Sequence, residues 1–138
     1  MSSSERKPSP SSSQSTTTPV AMPGPSVELD LSSEIELLHG DETWQAGISR
    51  KNLARYPGFR INLIAMKANS RIDEHENAGR ISVHTVRGHI RMQALGKVFD
   101  LPAGHVLVLD RAVRHNVEAL EESAFLLTVA RPESESSR

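Results

Sequence analysis

The sequence predicts a small all-β domain, built as a sandwich or a closed barrel of antiparallel strands. Several stretches alternate between apolar and polar residues, which is the pattern of a strand with one buried face. Turn-forming Gly, Pro and Asn residues separate these stretches roughly every eight to twelve residues, a spacing typical of all-β folds. The 138 residues of the chain offer room for one such domain.

The composition argues against several classes of partner. The formal net charge is only −1 at pH 7, so we expect no basic face that binds nucleic acid or an anionic membrane. No apolar run reaches the roughly 18 to 20 residues of a membrane helix, and the N-terminus lacks the apolar stretch of a signal peptide. The absence of cysteine excludes disulfides and thiolate metal sites and favours a reducing compartment. We therefore expect a cytoplasmic protein.

Both ends of the chain are predicted to be disordered tails. Residues 1–26 are mostly Ser, Thr and Pro, and residues 131–138 read RPESESSR. Such segments bury too little apolar surface to offset the entropy lost on ordering them. The packed domain is accordingly assigned to residues 27–130.

The first part of this domain gives two expectations. Over residues 27–45 the apolar positions alternate and then cluster, which predicts an N-terminal strand followed by an irregular segment. Further on, Pro57 and Gly58 occupy the central positions of a type II turn. The flanking segments Ile48–Arg55 and Arg60–Ala68 are therefore predicted to form a hairpin, the first being polar enough for an edge strand or a short helix.

The remaining strands follow from alternation and turn residues. Ile81–Val86 alternates between apolar and polar residues, Gly88 marks a turn, and His89–Ala94 continues as a strand, so the pair is predicted to be a hairpin. Further turn signals at Leu95-Gly96 and Pro102-Ala103-Gly104 delimit the later strands. These strands are predicted at Lys97–Leu101, Val106–Leu109, Val113–Leu120 and Ala124–Ala130.

Two histidine-bearing segments stand out within this strand-rich region. In the first, His75 lies between Asn69 and Gly88, and Asn77 and Ile81 follow the histidine. The second segment runs from Gly104 to Ala119, with Asp110 and Ala112 ahead of its histidine, His115.

The spacing of these residues resembles the two motifs of the cupin family, G-x5-H-x-H-x3-E-x6-G and G-x5-P-x-G-x2-H-x3-N. His75 and Gly88 match the first motif, and Gly104 and His115 match the second. The chain also resembles small bacterial single-domain cupins, which carry a similar EH-x-A-G segment and an ending like H-x-VEALE-x-SAFLLT. The resemblance covers residues 59–130.

This resemblance implies a fold, an assembly and a kind of site. The implied fold is a single antiparallel jelly-roll barrel, or double-stranded β-helix, and the implied assembly is a homodimer paired through sheet edges and an N-terminal strand. Cupins with complete motifs bind a divalent metal through three histidines and one glutamate. The corresponding metal site here would use His75, Asn77 and His115, and its metal would be Fe, Mn, Zn, Ni or Cu.

Asn69 replaces the first glycine of the first motif, and two further departures, at ligand positions, leave the site open to several interpretations. Asn77 replaces the second histidine and would supply a carbonyl oxygen, a weaker ligand than imidazole. Ile81 replaces the glutamate; if it faces inward, strand alternation points His84 outward and argues against His84 as a substitute. A carboxylate from the Asp73–Glu76 run could complete a two-histidine triad. Alternatively, no metal binds, and the histidines bond to each other or to Asn77.

Two functional hypotheses follow. The first is a small-molecule-binding cupin with a depleted metal site, in a ligand-binding or accessory role. The alternative is a metal-dependent cupin enzyme, such as a dioxygenase or an isomerase, that uses His75 and His115. In both hypotheses the partner is a small molecule, with no nucleic acid and no membrane.

Overall fold

The computed structural model describes residues 23–131. The chain begins with helix α1 (Leu31–His39) and a 3₁₀ helix (Glu42–Ala46), and all later regular elements in the described residues are strands. In chain order, the strands are β1 (Ile48–Tyr56), β2 (Phe59–Met66), β3 (Arg71–His75), β4 (Arg80–Arg87), β5 (His89–Ala94), β6 (Lys97–Pro102), β7 (Val106–Leu109), β8 (His115–Ala119) and β9 (Ser123–Ala130).

The strands form two antiparallel sheets that pack face to face as a jelly roll. One sheet has the order β1-β2-β9-β4-β7, and the other has the order β3-β8-β5-β6. Alternate side chains of each strand point between the sheets, where they form the main core. Its buried members are Ile64, Met66, Ile81, Val83, Ile90, Met92, Ala94, Leu101, Leu109, Val117, Ala119, Phe125 and Val129. The predicted all-β jelly-roll fold is confirmed.

The predicted hairpin around Pro57 and Gly58 is also confirmed. Strands β1 and β2 pair antiparallel from Ile48 opposite Met66 to Tyr56 opposite Phe59. Gly58 has a φ of 72°, which fits the third position of a type II turn. Strand β1 is an edge strand of the five-stranded sheet, one of the two alternatives that its polar sequence left open.

The predicted N-terminal strand is wrong, because residues 31–39 form helix α1. The Asp30 side chain caps this helix by accepting a hydrogen bond from the Ser33 backbone N–H, at 3.3 Å. The buried residues Ile35 and Leu38 lie on one face, as helical spacing requires. They pack on the outer face of the five-stranded sheet, against a second cluster that includes Leu53 and Leu63. The cap and this spacing are the signals that alternation alone overlooked.

The predicted hairpin of β4 and β5 is wrong as well, although both strands exist. Strand β4 pairs with β7 and β9, whereas β5 pairs with β6 and β8 in the other sheet. Gly88, with a φ of 78°, turns the chain from one sheet into the next. Strong alternation on both sides of a glycine therefore marked a crossing between sheets and not a pairing of neighbours.

Two further expectations concern the ends and the membrane. Most of the predicted N-terminal tail and all but the first residue of the predicted C-terminal tail lie outside the described residues, and both tails stay predictions. In residues 23–131, no helix combines the length and the apolar character needed to cross a bilayer.

Candidate functional site

A cavity of about 290 Å³ opens between the two sheets. Apolar side chains from inward positions of several strands form most of its walls. Its polar side chains come from β1 and β2 of one sheet and from β3 and β8 of the other. The lining residues are Arg50, Lys51, Asn52, Asn62, Ile64, Ile72, His75, Val83, Met92, His115, Val117, Phe125 and Leu127.

The structure brings His75 and His115 together in this cavity. They lie opposite each other in the register of β3 and β8, and their ring centroids are 4.3 Å apart in an edge-to-face arrangement. The Nδ1 atom of His75 lies 2.9 Å from the Asp73 carbonyl, and that of His115 lies 3.0 Å from the Val113 carbonyl. A carbonyl can only accept, so each Nδ1 carries the proton when the ring is neutral. Each Nε2 keeps its lone pair and has no hydrogen-bond partner within residues 23–131.

His115 is the more deeply buried of the two histidines, with only 3% of its surface exposed. Burial lowers the pKa of His115, because the low-dielectric surroundings disfavour the charged imidazolium. The hydrogen bond to the Val113 carbonyl opposes this effect, and the nearby charge of a protonated His75 adds to it. The net effect is a lowered pKa of His115, which favours the neutral ring over the charged one.

Strand alternation on β4 is as expected. Ile81, Val83 and Thr85 are all buried on the inward face, whereas His84 is half-buried on the outward face. Ile81 belongs to the main core, so the position of the missing glutamate is filled by an apolar side chain. His84 points away from the cavity and is not a substitute ligand.

Asn77, the third predicted ligand, and the nearby carboxylates of Glu74 and Glu76 lie outside the lining of the cavity. The Asn77 side chain is not among those that line the cavity, and its backbone carbonyl accepts a hydrogen bond from Ala112, at 2.8 Å. Glu74 and Glu76 are exposed and lie 3.3 and 3.7 Å from the guanidinium of Arg114. These ion pairs direct both carboxylates toward the surface of the barrel.

The donor set does not fit the four-ligand metal site of complete cupin motifs. Among the residues described here, no three His, Cys, Asp or Glu side chains lie close enough to hold a metal ion together. The cavity offers two imidazole nitrogens, from His75 and His115. Two is half the number of ligands in the family pattern.

A polar wall that the motifs did not reveal lies on the opposite sheet. It consists of Arg50, Asn52 and Asn62, on β1 and β2, and all three line the cavity. The Asn52 amide donates to Asn62 Oδ1, at 2.8 Å, and to the carbonyls of Ala54 and Ile61, both at 3.3 Å. These donations fix the amide orientation and leave Asn52 Oδ1 buried without a hydrogen-bond partner. Alternation along β1 puts positions 50 and 52 on one face of the edge strand, but only the register with β2 shows that this face lines the cavity.

Several solved structures have folds similar to that of this chain. A cupin superfamily protein from Desulfitobacterium hafniense aligns with a TM-score of 0.65 and 18% identity, over 80% of this chain and 95% of that one. The protein KdgF from a Halomonas species aligns with a TM-score of 0.57 and 22% identity, over 65% of this chain and 84% of that one.

A larger enzyme also shares the fold in part. Salicylate 1,2-dioxygenase from Pseudoaminobacter salicylatoxidans aligns with a TM-score of 0.70 and 12% identity, over 79% of this chain but only 34% of that one. No protein-family model matches the chain, and no curated protein matches it in sequence. At such identities the likeness concerns the fold.

Proposed function

Since the chain has the cupin fold, we propose that it binds a small molecule in the cavity between its two sheets, in a ligand-binding or accessory role. One observation carries this proposal: the cavity of about 290 Å³ combines an apolar lining with a few polar groups on two facing walls. Ligand sites are commonly concave and mostly apolar, and a small number of polar groups orient the ligand in them. The volume is just below the usual range of about 300–1,000 Å³ for ligand sites, so it suits a small ligand.

Filling the cavity tests this proposal. Val83 is buried and lines the cavity, so Val83→Phe would place a ring in the space that the ligand needs. We expect the wild type to bind members of a small-molecule fragment library, as seen in ligand-observed NMR, and Val83→Phe to lose that binding. Val98→Phe is the matched control, because Val98 is exposed and outside this cavity. Binding that survives in a folded Val83→Phe protein would contradict the proposal.

A second candidate function is a metal-dependent enzyme, such as a dioxygenase or an isomerase. The observation that favours it is the close pair of imidazoles whose Nε2 atoms are unpaired within the described residues. Such a site would hold a divalent transition metal, Fe, Mn, Zn, Ni or Cu, through His75 and His115. The solved dioxygenase with a similar fold is compatible with this candidate.

Metal content separates the two candidates. The second predicts near-stoichiometric metal in the purified protein, measured by mass spectrometry, and a melting temperature that falls on chelation. It also predicts that His75→Ala and His115→Ala each remove the metal while the barrel stays folded. Equal metal content in the wild type and in both variants would rule out this site, and the small-molecule binding role would stand alone.

A further inference from the structure

We propose that the ligand of the cavity is a small organic carboxylate with an apolar body, and that Arg50 is the residue that binds its carboxylate group. This inference rests on the proposed ligand-binding role of the cavity and adds the chemical class of the ligand. Arg50 lies on the edge strand β1, where it is an exposed residue that also lines the cavity.

The charges of the lining favour an anion. The lining contains two cationic side chains, Arg50 and Lys51, and no carboxylate. The charge of Lys51 is already neutralised, because its Nζ lies 2.8 Å from Glu34 of helix α1. Arg50 makes no ion pair within residues 23–131. The lining therefore includes one positive charge, that of Arg50, which no carboxylate within residues 23–131 neutralises.

The neighbours of Arg50 extend this anion-binding wall. In the β1–β2 register, Arg50 is opposite Ile64 and Asn52 is opposite Asn62. Asn62 uses its Oδ1 to accept from Asn52, so its amide N–H groups remain as donors with no acceptor in the described part of the chain. A guanidinium and an amide donor on the same wall of the cavity are suited to the two oxygens of a carboxylate.

The remainder of the cavity selects the body of the ligand. The surfaces between the polar wall and the histidine pair are aliphatic and aromatic, with Phe125, Leu127 and Met92 among them. An inorganic anion would leave these apolar surfaces uncovered, whereas a ring or a short carbon chain would bury them. The ligand is accordingly an organic acid and not a free phosphate or sulfate.

The experiment compares acids with neutral molecules of the same shape. The probes are matched carboxylate and carboxamide pairs built on benzene, on cyclohexane and on straight chains, such as benzoate with benzamide, and inorganic phosphate is added as a separate arm. Affinities are measured by ligand-observed NMR and calorimetry on the full chain at pH 7.5. Perturbation of the His115 and Phe125 resonances shows whether a probe occupies the cavity.

Three variants test the role of Arg50. Arg50→Gln should weaken the binding of the acids roughly 10- to 100-fold, because it removes a charge-assisted pair of hydrogen bonds. Arg50→Lys should keep part of the affinity, since the charge remains but the planar fork is lost. Arg55→Gln is the matched control on the same strand; Arg55 is exposed and outside the lining, so acid binding should be unchanged.

Each contrary outcome has a distinct meaning. If the amides bind in the cavity as tightly as the acids, or if Arg50→Gln binds the acids as tightly as the wild type, the carboxylate inference is wrong and the binding role survives. If phosphate binds more tightly than every acid, the organic body is wrong. If no acid or amide binds at millimolar concentration, both the inference and the proposed function fall.

Discussion

At the scale of single residues, His115 makes stability depend on pH. Burial holds the pKa of His115 below its ordinary value of 6.5, so the folded protein binds this proton less readily than the unfolded chain does. The sign follows from linkage: the contribution is fully present above about pH 6.5 and is lost as the pH falls from there toward the lowered folded pKa. We expect the melting temperature of the wild type to fall as the pH is lowered through this window.

Two variants isolate that effect. His115→Gln cannot be protonated, so its melting temperature should change less over the same pH range. His105→Gln is the matched control, because His105 is exposed and should leave the pH dependence of the wild type in place. Thermal melts followed by circular dichroism between pH 7.5 and pH 5 provide the measurement. A His115→Gln protein with the full pH dependence of the wild type would assign the effect to another group.

At the scale of elements, the crossing between sheets depends on Gly88. A Cβ atom at this position would collide with the Glu122 carbonyl oxygen and the Ser123 hydroxyl, and would lie 2.8 Å from the Ser123 Cα. Ser123 cannot easily move, because its Oγ accepts from the His89 N–H at 2.9 Å and donates to the Glu121 carbonyl at 2.7 Å. The close approach of β4, β5 and β9 at this corner therefore requires glycine.

The prediction compares two glycines with similar backbone conformations. Gly96 has a φ of 71°, close to that of Gly88, but a Cβ added there would meet no atom within 4 Å. Gly96→Ala should cost about 1–2 kcal/mol of unfolding free energy, from the left-handed conformation alone. Gly88→Ala should cost roughly 1–3 kcal/mol more, from the collision. Urea unfolding of both variants measures the difference, and equal losses would refute the explanation.

At the scale of the whole molecule, we propose that the chain forms a homodimer through the edge of the five-stranded sheet. Strand β7 is an edge strand, so its outer backbone groups have no strand partner in the described chain. Val106 and Val108 on its outward face are 53% and 66% exposed. Natural proteins rarely leave an apolar edge uncovered, because it invites pairing with another chain. A second copy would cover it.

Light scattering after size-exclusion chromatography measures this assembly. We expect the wild type to have twice the 15.1 kDa mass of one chain. Val108→Lys should shift the mass toward that of a single chain, because a charge would be buried in the interface. Leu37→Lys is the control, since Leu37 is 58% exposed on helix α1, away from β7. A monomeric wild type would refute the dimer, and a dimeric Val108→Lys protein would place its interface elsewhere.

The strands and the histidine pair were predictable because both depend on local patterns. Alternation located β4 and β5, and the motif spacing singled out His75 and His115, which share the cavity. Which strands pair was less predictable, because pairing depends on contacts between distant parts of the chain. Gly88 illustrates this: a turn signal is the same whether the chain returns on itself or enters another sheet.

The polar wall escaped prediction for a related reason. Arg50 and Asn52 lie in a strand that reads as a solvated edge, and nothing in its local sequence tells which face is covered. The register with β2 decides this, because it sets Asn52 opposite Asn62 on the inner side. Helix α1 also determines which face is covered, because Ile35 and Leu38 pack on the outer face of the sheet.

Helix α1 thereby acts as a brace for a wall of the cavity that it does not line. Strand β1 has a strand neighbour on one side only. Its rigidity therefore depends on the residues that pack on its outer face. Leu53 packs there in the cluster with the helix, and Lys51 is tied to Glu34. Arg50 and Asn52, the residues on either side of Lys51, line the cavity. A substitution or a bound molecule that loosens helix α1 would therefore make the position of the Arg50 side chain less fixed, without any contact to the cavity.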